Sequence, residues 1–117
     1  MSKKLITANR REVIKNVVKK MLKRDLRCLP VVDGKRLVGL ISCEDIVKKV
    51  IFEKFSDFSQ VMGAMATETE TVSSGTKIED LIKLMKKDNL KRVPIVDNDK
   101  LVGIVTQTDI VKYEADK

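Results

Sequence analysis

The chain has 117 residues, with 24 Lys and Arg against 17 Asp and Glu, a formal charge of +7 and no histidine. That length bounds it to one compact domain, or two very small halves sharing a core, and 43% hydrophobic residues are enough to build one. The missing histidine removes the Ser-His-Asp triad, the Cys-His pair and the imidazole metal site, and two cysteines cannot make a four-thiolate zinc centre. The usual equipment of an enzyme is therefore missing, and no catalytic residue and no metal site is expected.

From the N-terminus, Met1-Ser2-Lys3-Lys4 is basic, but the apolar Leu5-Ile6 behind it is too short for a secretory signal. No apolar run approaches the roughly 18 residues of a membrane span, so a cytoplasmic protein is expected. Leu5-Ile6-Thr7 is a short opening strand, and Ile14, Val17, Val18 and Met21 recur at helical spacing. Lys19, Lys20, Lys23 and Arg24 cluster at the end of that helix. Cys28 and Cys43 are expected as reduced, buried or half-buried side chains, since a cytosolic chain keeps its thiols. Pro30-Val31-Val32-Asp33 and Leu37-Val38-Gly39-Leu40-Ile41 are strands, and a helix follows Ser42.

Between about Ile51 and Thr69, Phe52, Phe55, Phe58, Val61, Met62 and Met65 form an apolar series. It predicts a connecting helix that packs onto the sheets, or a self-association surface; a homodimer is expected. Glu70-Thr71-Val72 is a further short strand, and Thr76 is placed to cap a helix over Ile78, Leu81, Ile82 and Met85 that Asp88-Asn89 closes. Val93-Pro94-Ile95-Val96 and Leu101–Val105 are strands around an Asp97-Asn98-Asp99 turn. The second is so continuously apolar that coverage on both faces is expected. Helix returns after Thr106.

These elements are one unit twice over. A shift of 64 positions carries Pro30-Val31-Val32-Asp33 onto Pro94-Ile95-Val96-Asp97 without a gap. Residues 25–48 and 89–112 share 11 identities in 24 pairs, where average amino-acid usage gives about one or two. Each unit runs strand-helix-strand-strand-helix, with boundaries at 1–57 and 58–117.

Two matching segments carry the candidate chemistry: Gly39-Leu40-Ile41-Ser42-Cys43-Glu44-Asp45 and Gly103-Ile104-Val105-Thr106-Gln107-Thr108-Asp109. Each is Gly-apolar-apolar-Ser/Thr-x-x-Asp at a strand-to-helix junction. A helix N-terminus suits a phosphate, and a carboxylate one turn on accepts from two vicinal sugar hydroxyls. The same spacing is also the capping box, in which the acid bonds back to the cap amide and binds nothing else. Both readings stand on spacing alone. The basic cluster, echoed by Lys83, Lys86 and Lys87, is either an anionic-partner footprint or a set of cations at helix C-termini. No nucleic-acid motif accompanies it, so nucleic acid is not the expected partner.

The runs LPVVDGKRLVGLISCEDIV and VPIVDNDKLVGIVTQTDIV resemble a pair of CBS domains, the Bateman module, over essentially the whole chain. The resemblance implies an α/β fold of two tandem CBS repeats packed about a pseudo-twofold axis, with clefts between them. It also implies an adenosyl ligand (AMP, ADP, ATP or S-adenosylmethionine), no obligatory cofactor, no catalysis, and regulation of an unidentified partner protein. Carried over by position, one cleft takes Ser42 and Asp45 for ribose, Thr71 and Val72 for the base, and Leu90-Lys91-Arg92 alongside. The other takes Thr106 and Asp109, with Thr7, Ala8, Leu26 and Arg27 opposite. Lys91-Arg92 match the family's phosphate-contacting position, whereas Arg27-Cys28 match half of it; Arg10, Arg11 or a partner subunit could supply the missing charge. The alternative is a structural or scaffold CBS protein with weak nucleic-acid binding through its basic surface.

Overall fold

The computed structural model describes residues 5–116; Met1-Ser2-Lys3-Lys4 and Lys117 lie outside the described residues. Contacts divide the chain into one compact unit, Ile6–Thr69, and a second that runs from Glu70 onward.

In the first unit, strand β1 (Ala8–Asn9) leads through helix α1 (Ile14–Arg24) to a hairpin of β2 (Cys28–Asp33) and β3 (Arg36–Ser42), then to helix α2 (Cys43–Val47). β1 pairs parallel to β2, and β2 pairs antiparallel to β3. The opening strand lies at Ala8–Asn9 and not at Leu5-Ile6-Thr7, because the residues that register with β2 are Ala8 with Val31 and Asn9 with Val32. α1 buries Ile14, Val17 and Met21 on one stripe. It ends where Asp25 turns left-handed at φ 53°, so that the Leu26 amide reaches back to the Met21 carbonyl at 2.9 Å.

The second unit repeats this with helix α3 (Ile78–Lys87), strands β4 (Arg92–Asp97) and β5 (Lys100–Thr106), and helix α4 (Gln107–Ala115). Asn89 supplies the left-handed residue after α3, and the Leu90 amide reaches Met85 O at 2.9 Å. Thr76 does not cap α3. Its hydroxyl lies 3.3 Å from Ser73 Oγ inside the preceding turn, and Lys77 holds the cap position with no side-chain bond. The strand expected at Glu70-Thr71-Val72 shrinks to one parallel bridge, Val72 with Ile95. Asn98 and Asp99 both take positive φ in the β4–β5 turn, at 51° and 66°, a conformation their short polar side chains tolerate.

Each unit has its own core. Ile14, Val17, Leu29, Val31, Ile41 and Val61 anchor the first, and Leu81, Met85, Val93 and Val105 the second. The acid that ends each Pro-apolar-Val-Asp strand ties down the same repeat position. Asp33 Oδ2 lies 3.5 Å from Arg10 Nε, and Asp97 Oδ1 accepts from the Ser74 amide at 3.0 Å. Its hydrogen bonds with Ser74 hold the Asp97 carboxyl below the usual carboxylate range. A lowered carboxyl pKa contributes stability above the unfolded value, and that contribution fades as pH falls through the folded one.

Two further expectations change. β5 is not covered on both faces: Val102 is 50% exposed. The ladder slips by one residue between Ile95 and Val96, opposite Gly103 and Leu101, so Val102 is the unpaired residue of a bulge and turns outward. β3 bulges at the matching place, opposite Val31 and Val32, with Val38 the extra residue. Nor is the 51–69 segment a helix. α2 runs into a π-helical turn at Lys48–Phe52, Lys54 breaks it with φ 59°, and a single 3₁₀ turn follows at Val61–Gly63. The remainder is held by bridges, Gln60 to Val13 and Ala66 to Leu40. Val61, Ala64, Phe55 and Met65 pack onto the core, while Phe52, Phe58 and Met62 are exposed.

The Ala66 bridge leaves no room above Gly39. A Cβ there would lie 2.7 Å from Ala66 O and 2.8 Å from Met65 Sδ, whereas at Gly103 the nearest atom, Ile95 Cδ1, is 3.5 Å away. Gly39→Ala should cost about 1–3 kcal/mol in denaturant unfolding, while Gly103→Ala should stay within about 0.5 kcal/mol of wild type.

Candidate functional site

Both Ser/Thr-x-x-Asp segments fold as complete capping boxes. At the start of α2, the Asp45 amide donates to Ser42 Oγ at 3.1 Å and the Ser42 amide donates to Asp45 Oδ2 at 3.0 Å. At the start of α4, the Asp109 amide donates to Thr106 Oγ1 at 3.3 Å and the Thr106 amide donates to Asp109 Oδ2 at 2.9 Å. The Thr106 hydroxyl also donates to Asp109 Oδ2, at 3.1 Å. The acids are half-buried, so each is fixed by the cap yet reachable from solvent. An ionised carboxylate has about four lone-pair sites, so the cap bond to Asp45 Oδ2 uses only part of that acid's acceptor capacity.

Within each repeat, the segment before the second strand abuts this junction. The Cys43 amide donates to Arg27 O at 2.9 Å, and the Gln107 amide to Lys91 O at 3.0 Å. Cross-strand pairing sets Cys28 opposite Ser42 and Arg92 opposite Thr106. Leu26 and Arg27 therefore adjoin the Ser42–Asp45 junction, and Leu90, Lys91 and Arg92 adjoin Thr106–Asp109. Arg27 and Lys91 are exposed, whereas Leu26, Leu90 and Arg92 are half-buried. The lead-in residues lie further along the sheet. Ala8 pairs with Val31, Thr7 O accepts from Lys20 Nζ at 2.9 Å, and Val72, next to Thr71, bonds Pro94 O and the Val96 amide. Sequence spacing missed one participant: Gln107 Nε2 donates to Leu90 O at 3.1 Å and clamps the pre-strand segment to the helix start. Its signal was its place directly after the cap.

Cys43, the first residue of α2, is exposed, not buried or half-buried; Cys28 is half-buried, and no disulfide joins them. Lys20 leaves the basic cluster for an ion pair with Glu12 at 2.8 Å, while Lys19, Lys23 and Arg24 stay exposed. Arg10 is engaged with Asp33. Among the described residues no group of three or more His, Cys, Asp or Glu is placed to hold a metal, and no helix is long and apolar enough to cross a membrane.

A duplicated α/β unit that returns a Ser/Thr-x-x-Asp cap to the same junction defines a repeat module. The chain belongs to the CBS-domain family: the CBS domain model matches residues 1–51 and again 58–116. An uncharacterized protein of Methanocaldococcus jannaschii is 34% identical over 116 residues, covering 98% of this chain and 38% of that protein. A second from the same organism is 28% identical, covering 100% of this chain and 43% of the relative, so the chain spans about two fifths of their length. Among solved structures, Vibrio cholerae AcuB superposes with a TM-score of 0.90 at 25% identity, over 99% of this chain and 87% of that one. CBSX2, solved in complex with AMP, gives 0.83 at 24% identity, over 96% and 88%.

The caps have a measurable share in stability. Ser42→Ala and Thr106→Ala should each lower the unfolding free energy by about 1 kcal/mol, since each leaves a helix-start amide without its partner; urea denaturation followed by circular dichroism reads this directly.

Proposed function

We propose that this chain is a regulatory module that binds an adenosyl compound and passes its occupancy to a partner protein. The supporting observation is the Gly-x-x-Ser/Thr-x-x-Asp junction in both repeats, its acid oriented by the cap and half-buried, in a chain whose structural relative CBSX2 was solved with AMP. Following the family pattern, Ser42 and Asp45 take a ribose with Thr71 and Val72 along the base and Leu90-Lys91-Arg92 alongside. Thr106 and Asp109 take a second ribose with Thr7, Ala8, Leu26 and Arg27. The ligand acts by binding one arrangement of the module more tightly than another, which shifts what the partner meets. No bond is made or broken.

The two sets differ in charge. Lys91 and Arg92 join Asp45, and an arginine grips a phosphate through two parallel bonds. A ligand carrying phosphate therefore goes to the Asp45 set. The Asp109 set has Arg27 alone beside a thiol, and suits an uncharged sugar end.

Calorimetric titration with AMP, ATP and S-adenosylmethionine tests this. Asp45→Ala and Arg92→Ala should each weaken AMP or ATP more than tenfold, about 1.4 kcal/mol, while Lys23→Ala leaves affinity unchanged. A thermal melt of each variant separates loss of the cap from loss of the ligand. If Asp45→Ala and Asp109→Ala both leave adenine-nucleotide affinity intact, the acids are caps alone and the reading fails.

A further inference from the structure

The second repeat carries a bond that the first lacks. Gln107, directly after the Thr106 cap, holds the segment before β4 through both its backbone and its side chain. Its amide donates to Lys91 O at 3.0 Å, and its Nε2 donates to Leu90 O at 3.1 Å. The Leu90 amide reaches Met85 O at 2.9 Å, so both backbone polar groups of Leu90 are bonded. Shifted by one repeat, Gln107 becomes Cys43, Leu90 becomes Leu26, and Lys91-Arg92 become Arg27-Cys28. The backbone bonds survive the shift: the Cys43 amide donates to Arg27 O and the Leu26 amide to Met21 O, each at 2.9 Å. The side-chain bond does not, since a cysteine has no amide to offer Leu26 O.

The clamp and the paired cations thus occur together in one repeat and are absent together from the other. The association has a physical reason. β4 begins at Arg92, which the ladder fixes opposite Thr106. Leu90 and Lys91 lie before the ladder and enter from the left-handed Asn89. Lys91 and Arg92 are adjacent like charges on long side chains, which repel each other and lose rotamer freedom on closing around an anion. An anion gains most from such a pair when the backbone beneath it is already in place. The bonds from Gln107 hold the two residues that the strand pairing leaves out. An exposed hydrogen bond adds little to folding, so the main effect of this one is on position.

We infer that Gln107 is a positioning residue that sets the phosphate preference of this chain, acting through Leu90 and Lys91 on the Lys91-Arg92 pair. The inference rests on the adenosyl-binding proposal, in which that pair meets the phosphate of the ligand whose ribose lies on Asp45. In the same proposal Thr106 and Asp109 take the other ribose. The residue that follows the cap of one ribose acid therefore steadies the phosphate arm of the other ligand.

Adenosine and AMP differ only in the phosphate, so calorimetric titration of the full chain with each reads the preference as a ratio of affinities. Wild type should hold AMP at least about tenfold more tightly than adenosine. Gln107→Met keeps the side-chain length and removes the donor. It should cut that ratio by roughly threefold or more while adenosine affinity stays within about twofold of wild type. Gln107→Ala should repeat the result, and circular dichroism should show both variants folded, since Gln107 is exposed. In a Lys91→Ala/Arg92→Ala background the ratio should already be near one, and adding Gln107→Met should change it no further, the non-additivity of a residue that acts through those two. Equal losses of AMP and adenosine affinity make Gln107 a structural residue and overturn the inference. An unchanged ratio overturns it too, as does a further fall in the Lys91→Ala/Arg92→Ala background or a wild-type ratio near one. All of these leave adenosyl binding standing. A wild-type chain that binds neither compound overturns both.

Discussion

The reciprocal bond between a cap hydroxyl and the acid three residues on decides where the second strand of each repeat stops and its last helix starts. Ser42 with Asp45, and Thr106 with Asp109, satisfy two helix-start donors at once. Fixing that point fixes what can reach it. The pre-strand segment docks by a single backbone bond to the next residue, from Cys43 or Gln107, and brings Arg27 or Lys91 to the junction. The strand pairing then places Cys28 or Arg92 beside the cap residue. Geometry that a helix needs for its own stability is thus the geometry that holds a half-buried carboxylate next to a basic segment.

The duplication is kept on the inside and abandoned on the outside. The bulge falls at the same step of both hairpins, the left-handed residue after the first helix of each repeat is Asp25 or Asn89, and the strand-end acids Asp33 and Asp97 both hold the lead-in position. The first two are features of the backbone path, and the third ties the same repeat position by a side-chain contact in each unit. The solvent side of α1 and α3 departs from the repeat. There Lys15 has become Glu79 and Leu22 has become Lys86, and the basic excess of the described residues sits in one unit. Surface divergence over a retained frame is what allows one repeat to present a different face from the other.

Much of this was legible from spacing. Helical periodicity marked α1 and α3 because their buried stripes recur every three or four residues, and the 64-residue shift exposed the hairpins together with their caps. The failures have local causes. An unbroken apolar run from Leu101 to Val105 hid the bulge, since a slipped register leaves no mark on composition, only an outward Val102. Thr76 looked like a cap because hydroxyls cap helices, but its oxygen was already engaged with Ser73. Phe52, Phe55 and Phe58 recur every three residues, a period that drifts off an α-helical stripe, and Lys54 in a left-handed conformation breaks the chain between them. The sequence held that arithmetic, but the pairing of Ala66 with Leu40 that replaces a helix is long-range.

At the candidate site, the difference that matters is one residue wide. The position opposite the cap is Arg92 in one repeat and Cys28 in the other. Under the adenosyl-binding proposal, phosphate must be stripped of water to be held, and a cysteine side chain offers no cation to replace what it loses. A half-buried guanidinium can. Because that proposal sets Arg92 with Asp45 and the Arg27-Cys28 segment with Asp109, the two sets, alike in cap geometry but unequal in charge, would rank ligands by phosphate content, not by the adenosine they share. A module built that way would respond to the ratio of charged to uncharged adenosyl compounds. That is a quantity one site alone cannot read, and under that proposal it would give the duplication a chemical use beyond the burial of a common frame.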